Sequence, residues 1–194
     1  MKIPAVILAA GASRRLGEPK QLVCLEGEAL IHRVARIALE VCHPVLVVLG
    51  SESERVKEAL SDLDVCCLRN LEWEEGMASS LRTAVSAMPL DARAALLLVC
   101  DQPAVDRTLL EAMLALHHEH PGRRIAAAYA GTLGIPALLP RDDFDRLLEL
   151  RGDRGARSLL QSEGVLPIPF PEGALDLDRP EDLARLRRRT PSQS

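Results

Sequence analysis

Short apolar runs alternate along the chain with segments in which apolar residues recur at helical spacing. Strands are predicted at 4–9, 45–49, 64–68 and 94–99. Helices are predicted at 28–42, 53–61, 79–88 and 106–118. This alternation indicates an α/β fold with a parallel sheet. The runs at 44–49 and 94–99 have no polar face, so they are expected to be central strands with helices on both sides.

Beyond residue 120 the pattern is looser, because Gly and Pro interrupt it at short intervals. Strands are predicted at 124–129, 135–139, 166–169 and 174–177, and helices at 141–150, at 155–162 and from Pro180. The segment 121–140 is a candidate substrate lid. The expected fold is a single-domain, Rossmann-like α/β/α sandwich of three layers with a mostly parallel sheet, spanning 1–189, and residues 190–194 are expected to fray.

Composition limits which ligands the protein is expected to bind and in which cellular compartment it is expected to work. Aromatic residues make up 2% of the 194 residues and the net charge is −4 without a basic stripe, which disfavours nucleic acid as a partner. The five cysteines include no Cys-x-x-Cys pair, so neither a disulfide framework nor a zinc site is expected, and a reducing cytoplasm fits. No apolar stretch approaches the roughly 20 residues of a membrane span.

The most informative segment follows the first predicted strand and runs from Leu8 to Lys20. Small residues and Gly11 leave backbone N–H groups accessible, while Ser13, Arg15 and Lys20 add a hydroxyl and cations, which together suit a polyphosphate. The spacing of its glycines and lysine differs from that of the common P-loop. The segment also contains no Gly-x-Gly-x-x-Gly motif, which disfavours a dinucleotide-binding dehydrogenase. The alternative is an ordinary Gly-rich turn after a strand.

The pattern Ala-Ala-Gly-x-Ser-x-Arg-x-Gly-x-Pro-Lys resembles the loop of nucleotidyltransferases, and its nearest branch is the molybdenum cofactor cytidylyltransferases. The resemblance implies a glycosyltransferase-A-like fold with a nucleotide-binding half over 1–105 and an acceptor-binding half over 106–189. It assigns Arg15, Lys20 and Asp101 to catalysis. It implies these nucleotide contacts in the loop: Leu8, Ala9, Ala10, Gly11, Ser13, Arg15 and Lys20.

Two acidic positions are candidate metal ligands. Asp101 follows strand 94–99, at the edge of the sheet where open α/β folds bind ligands. By resemblance Asp101 and Asp178 hold Mg²⁺, with Mn²⁺ possible. The alternatives are that Asp101 caps the next helix, a role for which Asp106 is better placed, and that Asp178 is itself an N-cap.

Two further regions are assigned by resemblance. The stretch from Asn70 to Leu81 lies against the nucleoside, and Asn70, Gly76, Ser80 and Asp101 complete the nucleotide contacts. Gly76 allows close backbone approach, Ser79 or Ser80 is expected to cap a helix, and Trp73 is either a packing residue or a base platform. The acceptor contacts are Gln102, Gly134, Pro136, Arg154 and Arg157. Arg154 and Arg157 could equally form a solvated helix face.

The predicted reaction transfers CMP from CTP to the phosphate of molybdenum-molybdopterin, with release of pyrophosphate. Ala10 favours CTP, because guanylyltransferase relatives commonly carry a second Gly there. A client molybdoenzyme or its chaperone is a possible partner, and neither nucleic acid nor a membrane is expected to be one. The alternatives are a GTP-using guanylyltransferase, a sugar-phosphate nucleotidyltransferase, and a nucleotide-responsive insertion protein without catalysis.

Overall fold

The structure is a computed structural model that describes residues 3–175, 177, 181 and 182. Its strands are β1 (Ala5–Ala9), β2 (Cys24–Leu25), β3 (Glu28–Ala29), β4 (Val45–Leu49), β5 (Cys66–Arg69), β6 (Ala94–Val99), β7 (Ile125–Tyr129), β8 (Thr132–Pro140) and β9 (Leu166–Pro169). Its helices are α1 (Leu30–Val41), α2 (Ser53–Glu58), α3 (Met77–Ser86), α4 (Arg107–Glu119), α5 (Phe144–Glu149) and α6 (Arg157–Leu160).

Seven of these strands form one sheet in the order β5-β4-β1-β6-β8-β7-β9. Strands β5, β4, β1 and β6 are parallel to one another. Strand β8 runs antiparallel to both β6 and β7, while β7 and β9 are parallel. The sheet is therefore mostly parallel with one reversed strand. Strands β4 and β6 are interior as predicted, and β1 lies between them.

Alternating strand residues feed two cores on opposite faces of the sheet. Ile7 packs with α1, α2 and α4, for example against Ile31 and Leu110. Its neighbour Val6 points to the other face and packs with α3, α5 and α6, for example against Leu81. Helices therefore cover both faces, which explains why the central strands carry no polar side and confirms the predicted α/β/α sandwich.

Several element boundaries differ from the prediction. The predicted strand at 174–177 is wrong over its first residues, because Pro171–Ala174 form a 3-10 turn in which Phe170 packs closely over Gly173. The helix predicted from 28 starts at Leu30, after the two-residue strands β2 and β3. The helix predicted at 53–61 ends at Glu58, and successive tight turns then carry Leu60 into the core.

In the C-terminal part, the helix predicted at 141–150 is a 3-10 turn (Arg141–Asp143) followed by α5. The helix predicted at 155–162 shortens to α6, and the candidate lid segment contributes β7 and β8 to the sheet. The helix predicted from Pro180 lies almost wholly outside the described residues. Within residues 3–175, 177, 181 and 182, no helix combines the length and apolar character that crossing a membrane requires.

Candidate active site

A cavity of about 610 Å³ opens where β1 and β6 end, at the carboxyl edge of the parallel strands. Most of its lining comes from three connections, which follow β1, β5 and β6, and Asp153 and Leu177 add to it from farther along the chain. The lining residues that had been predicted as site residues are Leu8, Ala10, Gly11, Ser13, Arg15, Lys20, Gly76, Ser80 and Asp101. The motifs that are far apart in sequence therefore meet at one place, because parallel strands end at the same edge.

The loop after β1 presents hydrogen-bond donors to this cavity. The N–H groups of Gly11, Ala12, Ser13 and Arg14 donate to no group in the part of the chain that the structure describes. Ser13 has a φ of 51°, which turns the backbone in the left-handed sense. A run of unpartnered N–H groups in such a turn attracts an anion.

Gln21 is a residue of this loop that sequence reasoning missed. Its side chain is 1% exposed, and its Nε2 donates to the carbonyl oxygens of Ala9 at 2.8 Å and Gly11 at 2.7 Å. The carbonyl of Ala10 accepts from the N–H of Ser51 at 3.1 Å. A glutamine beside the motif lysine carries no periodicity signal, so only the folded loop reveals its partners.

Lys20 and Asp101 both line the cavity and contact each other, because Lys20 Nζ forms an ion pair with Asp101 Oδ2. The carboxylate oxygen Oδ1 of Asp101 has no hydrogen-bond partner among the described residues. Carboxylate oxygen is the ligand type that Mg²⁺ and Mn²⁺ bind, so Asp101 fits a divalent ion with one oxygen still available. Asp106, and not Asp101, caps α4 by accepting from the N–H of Leu109 at 2.8 Å.

Cys100 lies beside Asp101 and also lines the cavity. Its side chain is buried, and burial raises the pKa of the thiol to about 12, with the Asp101 charge acting in the same direction. The thiol is therefore protonated at neutral pH. Since the thiolate is the nucleophilic form of cysteine, Cys100 supplies no nucleophile to this cavity.

The wall formed by residues 70–80 is held by buried polar contacts. The buried Asn70 donates through Nδ2 to the hydroxyls of Ser79 at 2.8 Å and Ser80 at 3.1 Å, and its Oδ1 accepts from the N–H of Glu72. Neither Asn70 nor Ala9, both predicted nucleotide contacts, lines the cavity. Asn70 instead lies behind the wall and supports it through these hydrogen bonds. The predicted serine cap is wrong, because α3 already begins at Met77 with Gly76 as its N-cap.

Trp73 both packs and faces the cavity. A Cβ on Gly50 would lie 2.6 Å from Cβ of Trp73 and equally close to the carbonyl oxygen of Ala10. The ring is therefore seated on the loop that follows β4, and it forms part of the cavity wall. The structure thus supports the packing interpretation, while a role of Trp73 as a base platform stays a prediction.

Gly76 brings the segment after α5 into the site. Its φ is 120°, and a Cβ there would lie 2.7 Å from the carbonyl oxygen of Gly152 and against the carboxylate of Asp153. Glu75 accepts from the N–H of Gly152 at 3.0 Å. Arg82 bonds Glu75, which lowers the pKa of that carboxyl group to about 2. As a result Asp153, which was not predicted, lines the cavity.

The residues predicted to bind the acceptor do not line this cavity. Arg154 follows Asp153 directly and Arg157 lies four residues after it, and both arginines are exposed. Gln102 and Gly134 instead meet at Tyr129: Gln102 Nε2 lies 3.5 Å from its hydroxyl, and a Cβ on Gly134 would collide with it. Pro136 is buried within β8. Their roles toward an acceptor stay predictions.

The second predicted metal ligand, Asp178, lies outside the described residues. Its neighbour Leu177 lines the cavity and donates its N–H to the carbonyl oxygen of Asp101 at 3.1 Å. The chain therefore returns to the edge of the sheet at Asp101 just before residue 178.

The family described as "MobA-like NTP transferase domain" matches residues 5–166, which include every described element of the cavity except Leu177. The chain belongs to this family. Membership confirms the nucleotidyltransferase resemblance that was drawn from the loop after β1 and the Asp101 region.

Three curated relatives have different names. Nicotine blue oxidoreductase of Paenarthrobacter nicotinovorans is 33% identical over 83% of this chain and 82% of its own length. Molybdenum cofactor guanylyltransferase of Rhodobacter capsulatus is 31% identical over 95% of each chain. Molybdenum cofactor cytidylyltransferase of Escherichia coli K12 is 22% identical over 96% of each chain. The family is therefore clear, while the nucleobase differs among its members.

Solved structures resemble the whole fold. The crystal structure of Rv0371c from Mycobacterium tuberculosis has a TM-score of 0.82 and 28% identity, covering 97% of this chain and 99% of that one. A second structure of Rv0371c, a complex with manganese, has a TM-score of 0.79 and 26% identity over 98% of this chain and 100% of that one. A related protein with this fold thus binds a divalent ion.

Proposed function

We propose that this chain transfers CMP from CTP to the phosphate of a molybdopterin-type cofactor and releases pyrophosphate. The observation that carries the proposal is the juxtaposition, in one cavity, of the donor-rich loop after β1 with the Lys20–Asp101 pair. Donors and a cation suit the triphosphate, and a carboxylate suits the divalent ion that accompanies it.

Arg15 and Lys20 would neutralise the triphosphate, while the N–H groups of residues 11–14 would hold its oxygens in place. Asp101, with Asp178 as second ligand, would hold Mg²⁺. When bound, that ion supplies positive charge against the phosphates. Because such charges and dipoles are fixed before substrate arrives, they stabilise developing negative charge without reorganisation.

The reaction needs no general base from the protein. A phosphate oxygen of the acceptor is already anionic at pH 7. It forms a new bond to the α-phosphorus of CTP as the bond from that phosphorus to the bridging oxygen of pyrophosphate breaks, and both electrons leave with pyrophosphate. Catalysis then consists of positioning two anions and neutralising them, as in other phosphoryl transfers.

The choice of CTP rests on Ala10, whose side chain lines the cavity. GTP is the second candidate, supported by the 31% identity to the Rhodobacter capsulatus guanylyltransferase over 95% of both chains. Both candidates share the fold, the loop and the metal carboxylate, so they differ only in the surroundings of the base.

The test offers CTP and GTP together to the purified chain with Mg²⁺ and a molybdopterin acceptor, measures pyrophosphate release, and identifies the base of the dinucleotide product. We expect CMP transfer to dominate, and the Asp101→Asn variant to lose it. Preferential use of GTP would overturn the base assignment alone. Pyrophosphate release that occurs only with a sugar phosphate as acceptor would overturn the assignment of the acceptor.

Two controls address the alternatives to transfer. Nucleotide binding without pyrophosphate release would support the insertion protein and contradict the enzyme. Because one relative is named nicotine blue oxidoreductase, a redox assay with nicotine blue is run in parallel, and turnover there without nucleotide transfer would overturn the proposal.

A further inference from the structure

Gln21 holds the carbonyl groups of the loop after β1 away from the cavity. Its single Nε2 bonds two of them, the oxygens of Ala9 at 2.8 Å and Gly11 at 2.7 Å. The N–H of Ser51 bonds the intervening carbonyl of Ala10. Three consecutive carbonyl oxygens are therefore occupied by protein donors.

The opposite side of the same peptides carries the unpartnered donors. Adjacent N–H and C=O groups of a chain are linked through rigid planar peptides, so fixing one carbonyl fixes the direction of the next N–H. With the carbonyls of residues 9–11 tied back, the N–H groups of residues 11 and 12 have no acceptor among the described residues. The loop thus offers donors rather than acceptors to an anion.

Gln21 also connects the two ends of the loop. Its Oε1 lies 3.5 Å from the hydroxyl oxygen of Ser13, and that hydroxyl accepts from the backbone N–H of Lys20 at 3.0 Å. Gln21 is the residue next to Lys20 and is 1% exposed, so it cannot itself touch a ligand in the cavity. It acts through its neighbours.

We infer that Gln21 is a positioning residue for polyphosphate binding, which keeps the loop after β1 in a conformation that presents N–H donors. This inference rests on the proposed nucleotide site, and it adds a residue outside the lining of that site. A carboxylate at this position would have no donor for either carbonyl, and it would place negative charge behind the anion site.

The test measures binding of inorganic tripolyphosphate with Mg²⁺ by calorimetry, in the wild type and in Gln21→Glu and Gln21→Met. Both variants preserve approximate side-chain size, and both remove the donors. We expect the dissociation constant to rise roughly ten- to a hundredfold, the range known for groups that orient the ligands of a metal site. Gln161→Glu, at an exposed glutamine, is the matched control and should bind as the wild type does.

A steady-state comparison separates positioning from general damage. In Gln21→Met, which adds no charge, the KM for the nucleotide should rise, while the KM for the acceptor changes little. The melting temperature is measured alongside, because leaving the carbonyls of Ala9 and Gly11 unpaired also costs stability. Equal changes in both KM values, or unchanged tripolyphosphate binding, would overturn the inference. If the wild type binds no tripolyphosphate, the proposed nucleotide site fails instead.

A measurement on the wild type covers the case in which neither variant folds. Tripolyphosphate should slow hydrogen exchange, or shift the NMR signals, of the backbone N–H groups of residues 11–14. Changes confined to other residues would contradict the donor arrangement that Gln21 is inferred to maintain.

Discussion

The parallel region of the sheet, β5-β4-β1-β6, and the C-terminal region, β8-β7-β9, contribute to the candidate site in different ways. In the parallel region, connections that leave β1, β5 and β6 at the same edge carry Lys20, Trp73 and Asp101 into one cavity. In the C-terminal region, Gly134 and Pro136 lie within the reversed strand β8, and Gly134 packs against Tyr129. Lys20, Trp73 and Asp101 therefore line the cavity, whereas Gly134 and Pro136 do not.

The largest effect is expected from substitutions that remove either charge of the Lys20–Asp101 pair in the parallel region. Lys20→Met and Asp101→Asn should each lower turnover on the order of a hundredfold or more, because each removes a charge that acts on the phosphates or on their metal ion. The measurement is kcat for pyrophosphate release. Lys57→Met and Asp142→Asn, which change exposed residues away from the cavity, are matched controls. Near-normal kcat in both site variants would contradict the assignment.

The contact between the two regions is tested at Gly76. Gly76→Ala should destabilise the fold, because the new Cβ combines a positive φ with collisions against Gly152 and Asp153. Gly122 also has a positive φ, 84°, but nothing lies within 4 Å of a Cβ there, so Gly122→Ala isolates the backbone cost of about 1 kcal/mol.

Gly76→Ala should lose at least about 1 kcal/mol more unfolding free energy than Gly122→Ala, both from packing and because the Gly76 backbone (φ 120°, ψ −168°) lies in a region that is essentially restricted to glycine. Chemical denaturation of both variants measures this difference. Equal losses would mean that the segment after α5 moves away from Gly76 without cost, and that the two regions are only loosely joined there.

The C-terminal region is tested by its exposed arginines. If Arg154 and Arg157 bind the acceptor's phosphate, Arg154→Ala and Arg157→Ala should raise the KM for the acceptor by about tenfold, the loss of a charge-assisted hydrogen bond. The KM for the nucleotide should not change. Arg93→Ala, at another exposed arginine, is the control. Wild-type acceptor KM values in both variants would identify a solvated helix face instead.

The smallest expected effect concerns pH. Arg82 lowers the pKa of Glu75 from 4.5 to about 2, so the folded state favours the ionised carboxylate. The resulting stabilisation is present above about pH 4.5 and is lost as pH falls toward 2. The difference in unfolding free energy between wild type and Glu75→Gln should therefore be constant at neutral pH and should shrink below pH 4.5. Glu74→Gln, at an adjacent exposed carboxyl, is the control.

The sequence predicted the parallel region better than the C-terminal region for a physical reason. Strands β4 and β6 begin and end where predicted, because buried parallel strands are continuous apolar runs. The loop after β1 and Asp101 follow such runs directly, so their meeting at one edge could be foreseen. Membership of the MobA-like family then confirmed the resemblance that these segments carry.

Other features depend on contacts that no local pattern encodes. Gln21 and Asp153 acquire their places through partners in the folded chain, Ala9 and Gly11 for the first and Gly76 for the second. The strand predicted at 174–177 is wrong over its first residues, because the 3-10 turn Pro171–Ala174, over which Phe170 packs, extends into it. Pairing of this kind is set by tertiary packing, which overrides the local preference of a short apolar segment.

Two glycines interlock the segments that meet at Gly76. Just as Gly76 accommodates Asp153, Gly155 accommodates the sulfur of Met77, because a Cβ on Gly155 would overlap that atom. Each segment thus contributes a glycine that leaves space, and a neighbouring side chain that fills the space beside the other segment's glycine. Residues 76–77 and 152–155 consequently form one transferable unit, and a chimera with a relative would need to exchange them together.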